Sequence, residues 1–527
     1  MKILITVLTI AILNIKVFSQ NFQWARSIGG KGEDKGLAVA IDANKNVYSI
    51  GIFSDTVDFD PGLGNCKLTA NGKMDIFISK INAAGNFVWA KSIGGHLSEF
   101  ATSIAIDVSG NIYLTGYYQD TVDFDPGKGI FNQISNGNND IFILKLNPDG
   151  NFVWAKTIGG KDDDQGQSII VDSRAKIFVA GFFSDIADFN TGKGTLNLTA
   201  PGFLKSDDAF ILKLDSAGNF ISAKNFGGES DDRIFSINID NSGNIYTTGE
   251  FWGIADFDPD AGISNLTSAG AYDIFISKLD SLGNLIWAKI FGGIANDKST
   301  SISVDNSGNI CIVGYFLGTC DFDPGTNVLN LNLTGNYATF ILKLNNSGNL
   351  VWAKSIDGIT NNVIFAKDLA VDNDGNLYIS GLFSGIVDFN PDSEIYNLKS
   401  LNYSSNIFIL KLNSNGNFVW AISIGSGEND EGISIAIDNS RNVYTIGNFE
   451  QYSDFDNSSG YCVLSSNGKF DIFILKLNEG LSKVQNLFRQ KDFSIFPNPS
   501  SSIFTIQSSS TPNIYPIPLP TKTAEKY

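Results

Sequence analysis

Along the chain, apolar residues come in runs of five to seven, broken by short groups of Asp, Asn, Ser and Gly. No stretch of useful length carries a helical period of 3.6. Residues 103–158 show the pattern. Ser103 to Asp107 is an apolar run, Val108 to Asn111 a turn, and Ile112 to Tyr118 a second run. A long connection holds Asp123-Phe-Asp-Pro-Gly127. Then come Ile141 to Leu146, a second turn at Asn147 to Asn151, and Phe152 to Ile158. Runs of this length joined by Gly-Asn turns predict antiparallel strands in hairpins.

The unit repeats. Trp stands at 24, 89, 154, 287, 352 and 420, with Ser222 in the fourth place, in steps of 65 or 68 residues. The first Asp of an Asp-Phe-(Asp/Asn) motif follows at 58, 123, 188, 256, 321, 388 and 454. The Lys of an IFILKL-type strand follows at 80, 145, 213, 278, 343, 411 and 476. Seven units of four strands predict an all-β fold, a seven-bladed β-propeller of four-stranded antiparallel blades over residues 20–480. The chain opens on a fourth-type strand, Phe22 to Ile28, and the last unit ends on a third-type strand, Ile472 to Leu477. The N-terminal strand is therefore expected to complete the last blade, leaving no open edge.

The blocks WAKSIGG, SIAID-xSGN-IYLTG and DIFILKLN-xxGNFVWAK resemble the SBBP repeats of secreted bacterial proteins. That resemblance implies the propeller fold and brings no single activity with it. The ends add an address. Lys2, the apolar run Ile3 to Leu13 and small residues before Ser19 read as a signal peptide, residues 1–19, cut between Ser19 and Gln20. Residues 481–492 read as a linker. In 493–527, Phe496-Pro497-Asn498-Pro499 resembles the start of the C-terminal sorting domain of the type IX (Por) secretion system of Bacteroidetes. Ser502 stands where that family usually has Gly. The remaining Pro-rich tail shows no strand alternation, so a partial or truncated sorting domain is expected. The resemblance implies a secreted or cell-surface location and contact with the secretion machinery. A periplasmic location follows if the tail does not function.

Composition narrows the chemistry. A net charge of −18 from 55 acids and 37 bases argues against nucleic acid. The single histidine, His96, argues against a histidine metal site or a His-based triad. Four cysteines do not make a disulfide scaffold, although Cys66 with Cys462, or Cys311 with Cys320, could pair. No run is long enough for a transmembrane span.

In a four-stranded meander the tight 1–2 and 3–4 turns share one face, and the longer 2–3 and 4–1 loops share the other. The second face is acidic and is the candidate binding face. It carries Asp58/Asp60, Asp123/Asp125, Asp256/Asp258, Asp321/Asp323 and Asp454/Asp456, which could hold Ca²⁺ through hard oxygen ligands. The alternative is that these Asp cap turns while Phe anchors the loop. The Asp305 and Asp372 stretches, with Gly at the fourth position, read as hairpin turns. Trp252, off the repeat, is a candidate ligand contact. The other Trp are expected to pack blade on blade, and the repeated Lys to lie on a solvated strand face.

The expected function is an exported, monomeric, non-catalytic module that binds a protein or glycan on the acidic loop face. The alternatives are a polysaccharide-active enzyme using acids near the ring axis, or a periplasmic assembly scaffold. An enzyme should break the repeat with unique polar residues at the axis, and the units look to differ mainly by drift.

Overall fold

The structure, a computed structural model, describes residues 18–202, 206–333, 336–358, 362–401, 404–456 and 460–481, with three strands beyond. Residues 1–17, residues 482–492 of the expected linker 481–492, and Asn498, Pro499 and Ser502 lie outside the described residues, while Leu481 ends the strand Asp471–Leu481. No helix occurs among those described.

Residues Gln20–Glu479 form one compact unit. Seven four-stranded antiparallel sheets stand around an axis, each running from an innermost to an outermost strand. Blade one is Lys35–Ile41, Val47–Phe53, Asp75–Ile81 and Phe87–Ile93. The other innermost strands are Phe100–Ile106, Asp164–Val171, Asp232–Ile239, Lys298–Val304, Ile364–Val371 and Glu431–Ile437. Each touches the next, and the seventh touches the first. The outermost strand of blade seven is Phe18–Ile28, paired with Asp471–Leu481. The ring closes as the strand count predicts, with the N-terminal strand supplying the fourth strand of the seventh blade.

Two local features were not expected. The long connection between second and third strands is itself a small hairpin, Thr56–Asp58 with Lys67–Thr69 in blade one. The innermost strand also starts earlier than its apolar run. In every blade it carries a bulge, between Gly36 and Ala38 in the first and at the equivalent place in the rest. A bulge turns two successive side chains toward the same side. Here that side is the ring axis.

The core lies between blades. Five of the six tight 3–4 turns seat the Trp of the preceding blade: a β-carbon on Gly85 (φ 78°) would stand 2.9 Å from Trp24 Cδ2. Trp24 Nε1 donates to Ala83 O in that turn at 3.3 Å, and Lys476 Nζ donates to the same carbonyl at 3.0 Å. The expectation of a solvated lysine face is therefore corrected. Lys213, Lys278, Lys343, Lys411 and Lys476 are buried. Six of the seven repeated lysines stand over a Tyr or Phe ring of their own blade at 4.6–5.1 Å. Their long stems hide in the joint while the ammonium reaches the next blade's turn.

Beyond Gly480, Phe493–Pro497, Ile503–Ser508 and Tyr515–Pro518 form a three-stranded antiparallel sheet. The tail thus holds a strand where none was expected. Tyr515–Pro518, with two prolines, is one of the two edge strands, where proline is tolerated in a sheet. Pro497 ends the first of these strands, and Ser19 and Gln20 fall within Phe18–Ile28.

Candidate functional site

The Asp-Phe-(Asp/Asn) motifs, five with Asp and two with Asn in the third place, sit in seven separate turns at the outer rim. The small hairpin bridges the strand end leaving the previous blade, as Gly94 with Asp123 and Gly159 with Asp188. The first Asp always has the same work. Asp58 Oδ1 accepts the amides of Asp60 (3.2 Å) and Cys66 (2.8 Å). Asp123, Asp256 and Asp321 do likewise two and eight residues on. In blade seven Asp454 Oδ1 accepts the amides of Asp456 (3.1 Å) and Cys462 (2.9 Å). Asp60, Asp125, Asp258 and Asp323 each accept an amide two residues on. Asp456 holds the same second place, and the amide two residues beyond it lies outside the described residues. These are Asx turns. The intervening Phe is buried, with Phe59 5.3 Å from Phe53 and 5.1 Å from Phe77.

The calcium expectation for these ten aspartates meets a geometric obstacle. Among the described residues no group of three or more His, Cys, Asp or Glu is placed to hold a metal. Asp58 with Asp60, Asp123 with Asp125, Asp256 with Asp258, Asp321 with Asp323 and Asp454 with Asp456 stay as isolated pairs, one to a blade. Asp372 likewise caps its hairpin, its Oδ1 taking the amides of Asp374 and Asn376 at 2.9 Å. The four cysteines are unpaired, and His96 is exposed.

The acidic 4–1 loops differ from expectation. One acid in each of six loops turns inward: Asp34, Glu99, Asp164, Asp232, Asp297 and Asp430 are buried. In five joints this acid meets a second buried one that opens the previous blade's third strand. The pairs are Asp34 with Asp471, Glu99 with Asp75, Asp164 with Asp140, Asp232 with Asp208, and Asp297 with Asp273. Asp208 Oδ1 and Asp232 Oδ2 come within 2.7 and 2.8 Å of the point a β-carbon on Gly227 would take. Burial is the main cause that pushes these acids up, and the partner carboxyl adds to it for Glu99, Asp164, Asp232, Asp273 and Asp471. Asp34, Asp140 and Asp471 reach about 6, Asp208 and Asp273 about 7, Glu99 and Asp164 about 8, and Asp232 about 9. Backbone amides partly oppose this, as Gly30 N on Asp34 Oδ2 at 2.6 Å. The joint between blades five and six has lost both acids together, to Ala338 and Ile364. Between blades six and seven Asp430 keeps its place while Asn406 stands for the second acid, so the carboxyls of these joints are buried with or without a partner acid.

The axis is where the blades differ. The two residues at each bulge line one cavity of about 430 Å³. The inner of them is Ala38, Ser103, Ser168, Ser236, Ser301, Asp368 and Ser434 in blade order. This is a nearly closed hydrogen-bonded girdle. Ser103 Oγ accepts Ile169 N (3.2 Å), Ser168 accepts Ile237 N (3.3 Å) and Ser236 accepts Ile302 N (3.2 Å). Asp368 replaces serine and takes four donors: Ser301 Oγ and Leu369 N on Oδ1, Ser434 Oγ and Ile435 N on Oδ2, all at 2.8–2.9 Å. Enclosure raises its carboxyl above the ordinary range.

Above the girdle the symmetry is gone. The first or second residue of the innermost strand, the one directly before the bulge, and its cross-strand partner form a collar on the long-loop face. The seven pairs are Lys35/Ile52, Phe100/Tyr117, Gln165/Phe182, Arg233/Glu250, Lys298/Tyr315, Phe365/Leu382 and Glu431/Asn448. No two are alike. Phe100 and Tyr117 stack at 5.1 Å, and Tyr315 meets Phe365 edge-on at 4.9 Å. Arg233 bonds Asp207 (2.7 Å) and Asp231 (2.8 Å) and reaches Glu250 (3.4 Å). It borders a second cleft of about 690 Å³ that shares Gln167, Phe235 and Lys298 with the axial cavity. Trp252, half exposed, adjoins this cleft: its ring lies 6.0 Å from Tyr272, whose hydroxyl bonds Asp231 at 2.7 Å.

The expectation that the units differ mainly by drift is therefore corrected: polar residues unique to their repeat column, Lys367 and Asp368, stand at the axis beside Lys298, whose column holds a second lysine only in Lys35. The signal was in the sequence, as aligned repeat columns in which one residue departs. It was hidden because those columns lie before the apolar run.

No family model matches the chain. It is 25% identical over 561 aligned residues to an uncharacterized WD repeat-containing protein of Acanthamoeba polyphaga mimivirus, covering 90% of this chain and 40% of that protein. It is 23% identical over 303 residues to the regulatory protein FlaEY of Caulobacter vibrioides, covering 53% and 30%. The chain thus spans less than half the length of these curated relatives. Among solved structures it is similar to a protein of unknown function from Bacteroides caccae, at 14% identity and TM-score 0.32 over 66% of this chain and 89% of that one. It is also similar to Sqt1 from Chaetomium thermophilum, at 8% identity and TM-score 0.40 over 88% and 100%.

Proposed function

We propose that this protein is an exported, non-catalytic binding module that takes its ligand at the axial collar on the long-loop face. The observation that carries this is where symmetry breaks. Turns, girdle, joints and outer hairpins repeat blade after blade, whereas the seven collar pairs are all different. A scaffold holds its packing columns and varies the positions that meet a ligand. The apolar leader before Gln20 and the Phe-Pro-Asn-Pro motif support export to the cell surface. Binding is favoured over glycan cleavage because the axial cavity lining carries one carboxyl, Asp368, already engaged by four donors. Glycoside hydrolysis needs two carboxyl groups in distinct protonation states.

A photo-crosslinking residue at Phe365 in the collar, or at Asn306 in a 1–2 turn of the opposite face, tests the reading in native envelope suspensions. Adducts from Phe365 and none from Asn306 are expected. Adducts from Asn306 alone overturn the collar. Polysaccharide turnover abolished by Asp368→Asn overturns the non-catalytic role.

A further inference from the structure

The axial cavity holds two lysines on a chain of net charge −18. Lys298 opens the innermost strand of blade five, and Lys367 is the outward bulge residue of blade six. At Lys367's place the other blades hold Leu37, Thr102, Gln167, Phe235, Thr300 and Ile433, none of them charged. Lys298 lies over Phe235 at 3.8 Å, with its nearest carboxylate oxygen, Glu250 Oε2, at 3.6 Å. Lys367 makes no ion pair among the described residues, and its ammonium stands 5.9 Å from the Phe365 ring. Burial is the main reason Lys298 is held below the usual lysine range. Glu250 opposes the shift, and both Arg233 and Lys367 add to it by repulsion. Two ammonium groups thus share one small cavity and repel each other across it. Glu250 offsets the charge of Lys298 alone, so an anion that also meets Lys367 relieves the remaining repulsion in this partly open cavity. On the far side of the same cavity the stacked pair Phe100 and Tyr117 offers a flat apolar wall. Five girdle hydroxyls and the Asp368 carboxyl, its oxygens already held by four donors, form its floor.

We propose that the axial cavity binds a small ring-shaped carboxylate, its carboxylate between Lys298 and Lys367 and its ring against Phe100 and Tyr117. This rests on the collar being the binding face and names the ligand class. A volume of about 430 Å³ admits one sugar acid or aromatic acid and little more. A polymer would present only its acidic end. The acids of the outer face repel such a ligand at long range, so the selectivity arises at the cavity and falls with salt.

The test is calorimetric titration of the full chain with glucuronate and benzoate, each against its uncharged counterpart, glucose and benzyl alcohol. At least one acid is expected to bind, and at least about 10-fold more tightly than its counterpart, a difference of about 1.4 kcal/mol. Lys298→Met and Lys367→Met should each weaken it about 10-fold or more, with Lys399→Met, on an exposed outer hairpin, unchanged. A thermal melt establishes that each variant is folded. Should one fail, the other decides. Equal binding of acid and neutral forms, binding that survives both lysine variants, or no binding by either acid overturns the proposal. Crosslinks from Phe365 with no carboxylate binding would leave the collar standing and remove the ligand class.

Discussion

At the scale of single residues, the repeat supplies its own controls. Gly85 and Gly283 occupy the same turn position with φ 78° and 92°. Over Gly85 lies the Trp24 ring. Over Gly283, where blade three has Ser222 in place of Trp, the nearest atom to a built β-carbon is Lys224 Cγ at 3.7 Å. Gly85→Ala should cost about 2–3 kcal/mol, from left-handed backbone strain plus collision with the indole. Gly283→Ala should cost about 1 kcal/mol, from strain alone. Urea unfolding of the two variants checks the order. The lysines teach the converse. In an IFILKL strand, alternation puts Lys opposite the buried positions, and nothing local shows that the opposite side is also a joint. Whether an alternating strand has one wet face or two dry ones is settled by its neighbours.

At the scale of elements, two joints make predictions. The seventh blade has no 3–4 turn, because its third and outermost strands come from opposite ends of the chain. Glu479 takes the turn's place: its Oε1 accepts Lys411 Nζ and, at 3.1 Å, Trp420 Nε1. Both charged side chains are under 5% exposed. Glu479→Ala should therefore lose about 3 kcal/mol, since it strands a buried ammonium. Glu479→Gln should lose less, because the amide oxygen still accepts. Chemical denaturation of the pair measures the difference. The carboxyl pairs predict an unusual pH dependence. Their folded pKa values, about 6 to 9, lie above those of the unfolded chain, so the native state holds the extra protons. Their contribution is fully present below about pH 4 and is lost as pH rises through 6 to 9. The melting temperature should fall by on the order of 5 °C between pH 5.5 and 9. A melting temperature that rises across this range contradicts the assignment. Strand order, blade count and ring closure were legible in the spacing of Trp, Asp and Lys. The joint acids were not, because Asp in a Gly-rich loop reads as exposed until the loop is seen folded between two sheets.

For the whole molecule, the ring separates a repeated scaffold from a single place without symmetry. The outer-rim aspartates singled out in the sequence, from Asp58 and Asp60 to Asp454 and Asp456, belong to turns in five blades, each beside a buried Phe. The axial residues came to notice only through the structure. A bulge, which no composition or period reveals, carries Lys367 and Asp368 to the axis together. The central claim is that binding belongs to the axis and not to the acidic rim. The most direct measurement is one titration, with glucuronate or benzoate as the probe that binds, on wild type, Lys367→Met and Asp123→Asn, each with calcium and with chelator. Affinity should drop about 10-fold or more in Lys367→Met and stay unchanged in Asp123→Asn, with calcium or with chelator. Affinity that follows Asp123 and calcium while ignoring Lys367 would contradict the claim.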